Sequence, residues 1–388
     1  MIRCSDAFST IRRYKESLLG MVLRILSYFL TAIMLKLRGC FCWCPTSRQS
    51  LDDAERRILS FMKKPYCGFF VDIGRVSDIP RRNSRIWTVV VDPDDGSSDS
   101  ARLPLVLVHG YLCGSALWVL NLESLAKKRT VYSIDLLGFG KSSRPTLSSD
   151  ARTVELQLVQ ALEAWRQRVG LERFVILGHS LGAFVAGAYA LRHPQRLAHV
   201  ILEDPWGFSE CLIPETPFQL VPWIVATFSR GIKFFSGTDI CTLLRAAGIL
   251  GPPILSVVLA HETNMFRKIV LDETAIPTYF YHCNVRRPSG EAAVKALMHR
   301  FPWAEHPMGP RLAALPPEMG LTFIYGEHSF MGRRPAFALR EARPRSCVKI
   351  HVLEDCGHNL HYEKPDEFSH VVGKVCEAAD EQTHEKQQ

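Results

Sequence analysis

The sequence predicts an α/β fold with a mostly parallel, doubly wound sheet, and three observations lead to this prediction. Several short runs are continuously apolar, which is typical of strands buried on both faces of a parallel sheet. Segments with helical periodicity lie between these runs, so strand and helix alternate along the chain. The 388 residues, 47% of them hydrophobic, are enough for a three-layer core with an inserted subdomain.

The first element is an apolar stretch over residues 17–35, interrupted by Arg24 and flanked by basic residues. About 20 apolar residues are needed to span a bilayer, and a central Arg opposes spanning by roughly 2.5 kcal/mol or more. A spanning helix and a shallow anchor both stay open. A removable signal peptide is disfavoured, because no clear small-residue cleavage site follows. We therefore expect residues 1–50 to form a membrane-associating segment.

Three thiols, Cys40, Cys42 and Cys44, follow this stretch. Cysteines beside a basic, apolar segment suit reversible S-acylation, and a plain turn is the alternative. The 12 cysteines show no paired spacings, which indicates a reduced intracellular chain. We expect residues 17–44 to anchor the protein to the cytosolic face of an intracellular membrane or lipid droplet. The net charge of +8 is not gathered in long basic runs, so nucleic acid is not a predicted partner.

The next elements are predicted to form one domain over residues 51–380. It begins with an amphipathic helix near residues 50–64. Between about 205 and 317 the alternation gives way to Pro-rich and aromatic-rich segments, which predicts a helical lid inserted between the sixth and seventh strands. Residues 381–388 are polar and are predicted to be a disordered tail. The predicted strands are 85–91, 103–109, 131–136, 174–177, 200–203, 321–325 and 348–352, and a helix is predicted over 150–168.

A Gly-x-Ser-x-Gly motif, residues 178–182, lies between a strand run and the helix predicted from Ala183 to Arg192. A serine hydroxyl attacks well only when a tight turn holds it out of the sheet near a base, and small flanking residues make that turn possible. The context predicts an α/β-hydrolase fold with Ser180 as the nucleophile, against the alternative of an ordinary strand-helix turn. Backbone amides of Leu181 and Tyr111 are the predicted oxyanion donors.

The general base is predicted to be a histidine after the last strand. His358 fits because it follows Gly357 directly beyond a strand, and His361 is the competing candidate. The sequence offers two candidates for the carboxylate that orients this histidine. Asp204, at the carboxyl end of the sixth strand, is slightly preferred over Glu327, which follows the seventh strand, although Asp204 could merely cap the turn before a proline. No metal or cofactor is expected.

The chain resembles the subfamily of alpha/beta-hydrolase domain-containing proteins 4 and 5, over roughly residues 51 to 380. The resemblance rests on Asp135-Leu136-Leu137-Gly138-Phe139-Gly140-Lys141-Ser142-Ser143-Arg144-Pro145, on Asp204-Pro205-Trp206-Gly207-Phe208, on Tyr281-His282-Cys283-Asn284-Val285 and on Pro288-Ser289-Gly290-Glu291. Two positions depart from the family. No Asp follows the seventh strand, near Met331 or Gly332, and the family's His-x-x-x-x-Asp motif, starting at His358, ends here in Glu363. A second His-x-x-x-x-Asp runs by offset from His361 to Asp366.

The resemblance implies a membrane-associated serine hydrolase acting on N-acyl phospholipids or lysophospholipids. Within the subfamily, the hydrolase branch keeps a serine at the nucleophile position, whereas the co-activator branch has Asn there. Ser180 indicates the hydrolase branch. The expected partners are the lipid substrate, a membrane or lipid-droplet surface and a lipase. Two alternatives stay open: a lysophosphatidic acid acyltransferase, and a non-catalytic co-activator of a triacylglycerol lipase.

Overall fold

A computed structural model describes residues 46–76, 83–93, 102–210, 240–300 and 302–385. These residues divide into two compact units, each described by itself. The first takes the described residues up to Ala54 and those from 240 to Arg286. The second takes the described residues from Glu55 to 210 and from Arg287 onward. The predicted anchor and the three cysteines at 40, 42 and 44 lie outside the described residues.

An eight-stranded sheet forms the core of the second unit, in the order β1-β2-β4-β3-β5-β6-β9-β10. Strands β1 and β2 pair antiparallel with their neighbours, and the remaining pairs are parallel. The predicted mostly parallel sheet is therefore confirmed. The strands are β1 Cys67–Gly74, β2 Ser84–Val91, β3 Leu105–Val108, β4 Val131–Ile134, β5 Phe174–His179, β6 Leu197–Glu203, β9 Gly320–Gly326 and β10 Val348–Leu353; a separate hairpin joins β7 Met298–Arg300 to β8 Trp303–Ala304.

Helices separate the parallel strands, as the alternation along the sequence predicts. The central strands β3, β5, β6 and β9 are buried along their whole length, which explains why apolar residues predominate in them. The helices are α1 Arg48–Leu59, α2 Val119–Leu125, α3 Ala151–Val169, α4 Leu181–Arg192, α5 Ile240–Ala247, α6 Gly251–Val258, α7 Ala260–Phe266, α8 Ala275–Asn284, α9 Gly290–Leu297, α10 Met308–Arg311, α11 Arg334–Ala342, α12 Leu360–Glu363 and α13 Pro365–Glu385.

Two of the family motifs contact each other in the second unit. Gly290 N donates to Gly138 O at 3.0 Å, and Ser289 Oγ donates to Pro145 O at 2.5 Å. The buried Asp135 accepts from the backbone amides of Ser115 and of Lys141, each at 2.7 Å. The two motifs, residues 135–145 and 288–291, therefore hold each other in place. Part of the resemblance to the family thus reflects packing between these two segments.

The third family motif, residues 281–285, lies in the core of the first unit. Tyr281 is fully buried and its hydroxyl donates to Gly248 O at 3.0 Å. The Arg245 guanidinium donates to the carbonyls of Asn284 and Arg286, at 3.1 and 2.9 Å, just where α8 ends. A cation at a helix C-terminus satisfies carbonyls that the helix itself cannot bond. This motif is structural.

The prediction of a disordered tail from residue 381 is wrong for its first five residues, because α13 continues to Glu385. Asp380 is tied to the buried Arg129 by paired hydrogen bonds of 3.2 and 2.9 Å. Phe368, Val372 and Cys376 bury one face of the helix. Because this ion pair and the apolar face fix α13, the helix extends into the polar residues that follow. Extending an existing helix is easier than starting a new one.

The helices α5 to α10 lie between β6 and β9 in the chain, the sixth and seventh strands of the main sheet. The lid predicted between these two strands, over about residues 205–317, stays a prediction. Within the described residues one segment, Ile240–Val258, is long and apolar enough to cross a membrane by length and composition. About a third of it is buried, and the turn Gly248–Leu250 interrupts it. This is weak evidence of membrane contact.

Candidate active site

Ser180 lies on the turn between the end of β5 and the start of α4, with φ 52° and ψ −113°. This backbone conformation is strained for a serine, at a cost of about 1–3 kcal/mol. A β-carbon on Gly178 would lie 2.3 Å from Gly182 O, and one on Gly182 would lie 2.2 Å from Val108 O. Only glycine fits at both positions, so the spacing of the motif follows from the close packing of this turn.

His358 lies beyond β10 and its imidazole faces Ser180. His358 Nε2 lies 3.1 Å from Ser180 Oγ, within hydrogen-bond distance of the hydroxyl proton. Its Nδ1 is hydrogen-bonded to Asp204 Oδ2. The competing histidine, His361, is directed elsewhere: its Nδ1 lies 2.8 Å from Glu203 Oε1. The structure therefore brings His358, rather than His361, to Ser180.

Asp204 is fully buried directly after β6, and its backbone N–H donates to Ile324 O at 2.8 Å. Strand β6 pairs with β9, so Asp204 lies beside the strand after which the family's acid is expected. Glu327, the alternative acid, is 47% exposed and accepts instead from Asp355 N at 3.1 Å. Of the two candidates, the structure brings Asp204 to His358 and places Glu327 away from it.

The buried carboxyl of Asp204 is held by two donors. Burial raises its pKa, while the hydrogen bonds from His358 and from Ser329 Oγ act in the opposite direction. Ser329 was missed from the sequence. It lies in the segment after β9 where the family places its acid, so an empty acid position was the signal that could have directed attention to it.

His179, inside the motif, packs between two other imidazoles. Its ring centroid lies 4.8 Å from that of His358 and 4.8 Å from that of His361. Burial, followed by the neighbouring histidines, lowers the pKa of His179 well below its ordinary range, so the ring is neutral. His179 Nε2 therefore donates to His358 O at 3.0 Å. This contact holds the backbone of the residue that faces Ser180.

The two predicted oxyanion donors lie near Ser180, one at the start of a helix and one on a loop. Leu181 is the first residue of α4, so its N–H has no acceptor within that helix. A β-carbon on Gly110 would lie 3.2 Å from Ser180 Cβ, so the loop after β3, which carries Tyr111, passes beside the serine. These positions are compatible with two amides directed at one oxygen, and the role of both residues stays a prediction.

Two clusters within the described residues have the spacing of a metal site. In the first, His179, Glu203 and His361 are buried, and the Glu203 carboxylate already accepts from both the N–H and the Nδ1 of His361. The second comprises Glu327, His328 and Asp355, all exposed. Hydrogen bonds within the protein account for the arrangement of the first cluster. An acyl-transfer reaction at Ser180 requires no metal ion at either cluster.

Comparison with known proteins identifies the same fold and also relatives of substantial sequence identity. A family described as "alpha/beta hydrolase fold" matches residues 104–247. The chain is 36% identical to the (lyso)-N-acylphosphatidylethanolamine lipase of Mus musculus, over 86% of this chain and 94% of that protein. It is also 36% identical to the 1-acylglycerol-3-phosphate O-acyltransferase ABHD5 of Mus musculus, over 86% of this chain and 91% of that protein.

Solved structures share the fold at much lower identity. A naproxen esterase from Bacillus subtilis is 17% identical with a TM-score of 0.53, over 84% of this chain and 96% of its own. A bacterial membrane phospholipase A is 17% identical with a TM-score of 0.54, over 94% of this chain and 99% of its own. At this identity the likeness shows the fold alone.

Proposed function

The chain belongs to the α/β-hydrolase family, in the subfamily of the (lyso)-N-acylphosphatidylethanolamine lipases and ABHD5, and we propose that it is a membrane-associated serine hydrolase. Its proposed substrates are phospholipids or lysophospholipids, N-acyl forms included, and it cleaves their ester bonds. The observation that carries this proposal is the hydrogen-bonded series from Ser180 through His358 to Asp204. These three side chains provide a nucleophile, a base and a group that orients the base.

The proposed reaction proceeds through an acyl-enzyme. Ser180 Oγ attacks the ester carbonyl while His358 Nε2 takes its proton, and the amides of Leu181 and Tyr111 stabilise the developing oxyanion. His358 then gives that proton to the leaving alcohol. A water molecule, deprotonated by the same nitrogen, releases the fatty acid and restores the serine. The buried Asp204 keeps Nδ1 protonated and stabilises the imidazolium formed in each step.

The lipid substrate class rests on the relatives, one of which is a lipase of N-acylated phospholipids by name. The basic, apolar residues 17–44 supply the proposed attachment to the cytosolic face of a membrane or lipid droplet, with Cys40, Cys42 and Cys44 as acylation sites. Two anchoring signals are needed for stable attachment, and an apolar segment with acylated thiols would provide both.

The proposal is tested by labelling the purified protein with a fluorophosphonate probe in lipid micelles. Wild type is expected to be labelled, Ser180→Ala to lose all labelling, and His358→Ala to be labelled far more slowly. Ser60→Ala serves as the matched control, because it removes an exposed serine whose hydroxyl donates to Arg57 O. This variant is expected to keep full labelling. An unlabelled wild type would contradict the hydrolase and favour a non-catalytic co-activator.

The product distinguishes hydrolysis from acyl transfer. Incubation with a lysophospholipid in the absence of any acyl-CoA is expected to release free fatty acid, at a rate that Ser180→Ala abolishes. With lysophosphatidic acid as the substrate, formation of phosphatidic acid only when acyl-CoA is added, without fatty acid release, would instead support the acyltransferase. Ser180→Ala that leaves a cellular lipid phenotype intact would support co-activation.

A further inference from the structure

The loop that carries His358 is closed by a carboxylate five residues further along the chain. Gly357 N donates to Glu363 Oε2 at 2.6 Å, and Asn359 N donates to Glu363 Oε1 at 2.9 Å. The two amides flank His358 on either side. Both oxygens of Glu363 are therefore committed to the backbone that presents the imidazole, and each bond is charge-assisted.

With these bonds, the backbone at residue 358 is fixed on three sides. Glu363 holds the N–H groups before and after it, and His179 Nε2 holds the carbonyl of His358 at 3.0 Å. The imidazole is left with its two side-chain torsions, which its contacts with Asp204 and Ser180 set. Such fixing matters because catalytic groups must be held within about 0.5 Å of the productive geometry.

The far end of the same loop is fixed from the end of β6. The buried Glu203 accepts from His361 N at 3.0 Å and from His361 Nδ1 at 2.8 Å. Glu203 immediately precedes Asp204, so adjacent residues of one strand end hold two points of the loop. The loop is thus already held at His361 by Glu203. The two hydrogen bonds of Glu363 then fix the position of residue 358 within it.

We propose that Glu363 is a positioning residue for the general base of the proposed hydrolase, on which this inference rests. Glu363 stands five residues after His358, at the position where the His-x-x-x-x-Asp pattern has its acid. In this proposal its carboxylate holds the loop of His358 and takes no part in the reaction itself. The competing explanation is ordinary capping of α12, since Asn359 is the residue before that helix. Capping predicts a loss of thermal stability without a specific change at the base.

The test compares Glu363→Ala and Glu363→Gln with a matched capping variant, Asp150→Ala. Asp150 Oδ1 accepts from Thr153 N at 2.8 Å at the start of α3, so its removal also deletes a carboxylate that binds a helix-start amide. Glu363→Ala is expected to lower kcat for lysophospholipid hydrolysis on the order of 10- to 100-fold with KM unchanged. Glu363→Gln, which keeps one acceptor oxygen, is expected to lie between it and wild type. Asp150→Ala is expected to lower the melting temperature and leave kcat unchanged.

A second readout does not depend on activity. The proton on His358 Nδ1 that is shared with Asp204 is expected to give a far-downfield proton NMR signal, which His358→Gln identifies by its loss. Glu363→Gln is expected to shift or broaden that signal, and Asp150→Ala to leave it in place. If Glu363→Ala does not fold, Glu363→Gln carries both measurements.

The outcomes separate the two proposals. Wild-type kcat and an unmoved NMR signal in the Glu363 variants would overturn the positioning role, and so would equal effects from Asp150→Ala. If wild type hydrolyses no lipid and binds no fluorophosphonate, the proposed function fails. In that case a signal that moves only in the Glu363 variants still supports Glu363 as the group that positions His358.

Discussion

Replacing Asp204 with Asn tests which carboxylate serves the imidazole. Asp204 is completely buried, and its Oδ2 accepts the Nδ1 proton of His358. An amide at this place can present a donor to Nδ1 and so favours the tautomer with the proton on Nε2. That tautomer cannot accept the proton of Ser180. Asp204→Asn is therefore expected to lower kcat on the order of 10,000-fold, as loss of the acid does in serine triads.

This loss corresponds to about 5.5 kcal/mol of transition-state stabilisation, at about 1.4 kcal/mol for each factor of ten. The matched variant is Glu327→Gln, which removes an exposed carboxylate that contacts Asp355 N and is expected to leave kcat unchanged. Fatty acid release from lysophospholipid micelles and the rate of fluorophosphonate labelling measure both variants, with the melting temperature as a check on folding. A larger loss in Glu327→Gln than in Asp204→Asn would refute the reasoning.

Three further predictions concern stability, substrate contact and the turn at Ser180. Burial lowers the pKa of His199 to about 4 from its ordinary 6.5, so its contribution to stability is complete above pH 6.5 and is lost as the pH falls toward 4. His199→Gln should remove about 3 kcal/mol of this acid sensitivity in urea titrations at several pH values. Phe330 is 57% exposed and its ring lies 4.9 Å from that of His358, so Phe330→Ala should raise KM for long-chain esters more than for acetate esters. Phe337→Ala, at an aromatic 40% exposed and stacked with Arg340, should change neither. Gly182→Ala should abolish soluble folded protein in expression trials, because its β-carbon would overlap Val108 O.

The alternation of strands and helices and the turn at Ser180 could be predicted from sequence, because both depend on neighbours along the chain. Strands buried on both faces contain continuous apolar runs, Phe174 to Leu177 in β5 and Val200 to Leu202 in β6, and each run marks part of its strand. The turn at Ser180 follows from two glycines at fixed spacing. Strand β1 was missed because it lies at the sheet edge, where only Val71 and Ile73 are buried and the apolar signal is short.

Contacts between distant parts of the chain were decided only in the tertiary structure. Asp204 and Glu327 both follow neighbouring parallel strands, so sequence position gave them similar reach toward His358, and side-chain direction separated them. The contacts of Ser329 with Asp204, of Glu203 with His361 and of Glu363 with the loop amides leave no periodic signal. The sequence by itself determined the fold class and the turn that carries the proposed nucleophile, because local spacing and burial encode them. The tertiary structure decided which carboxylate contacts His358 and which groups hold its loop, because a hydrogen bond depends on tenths of an ångström between residues that the sequence separates.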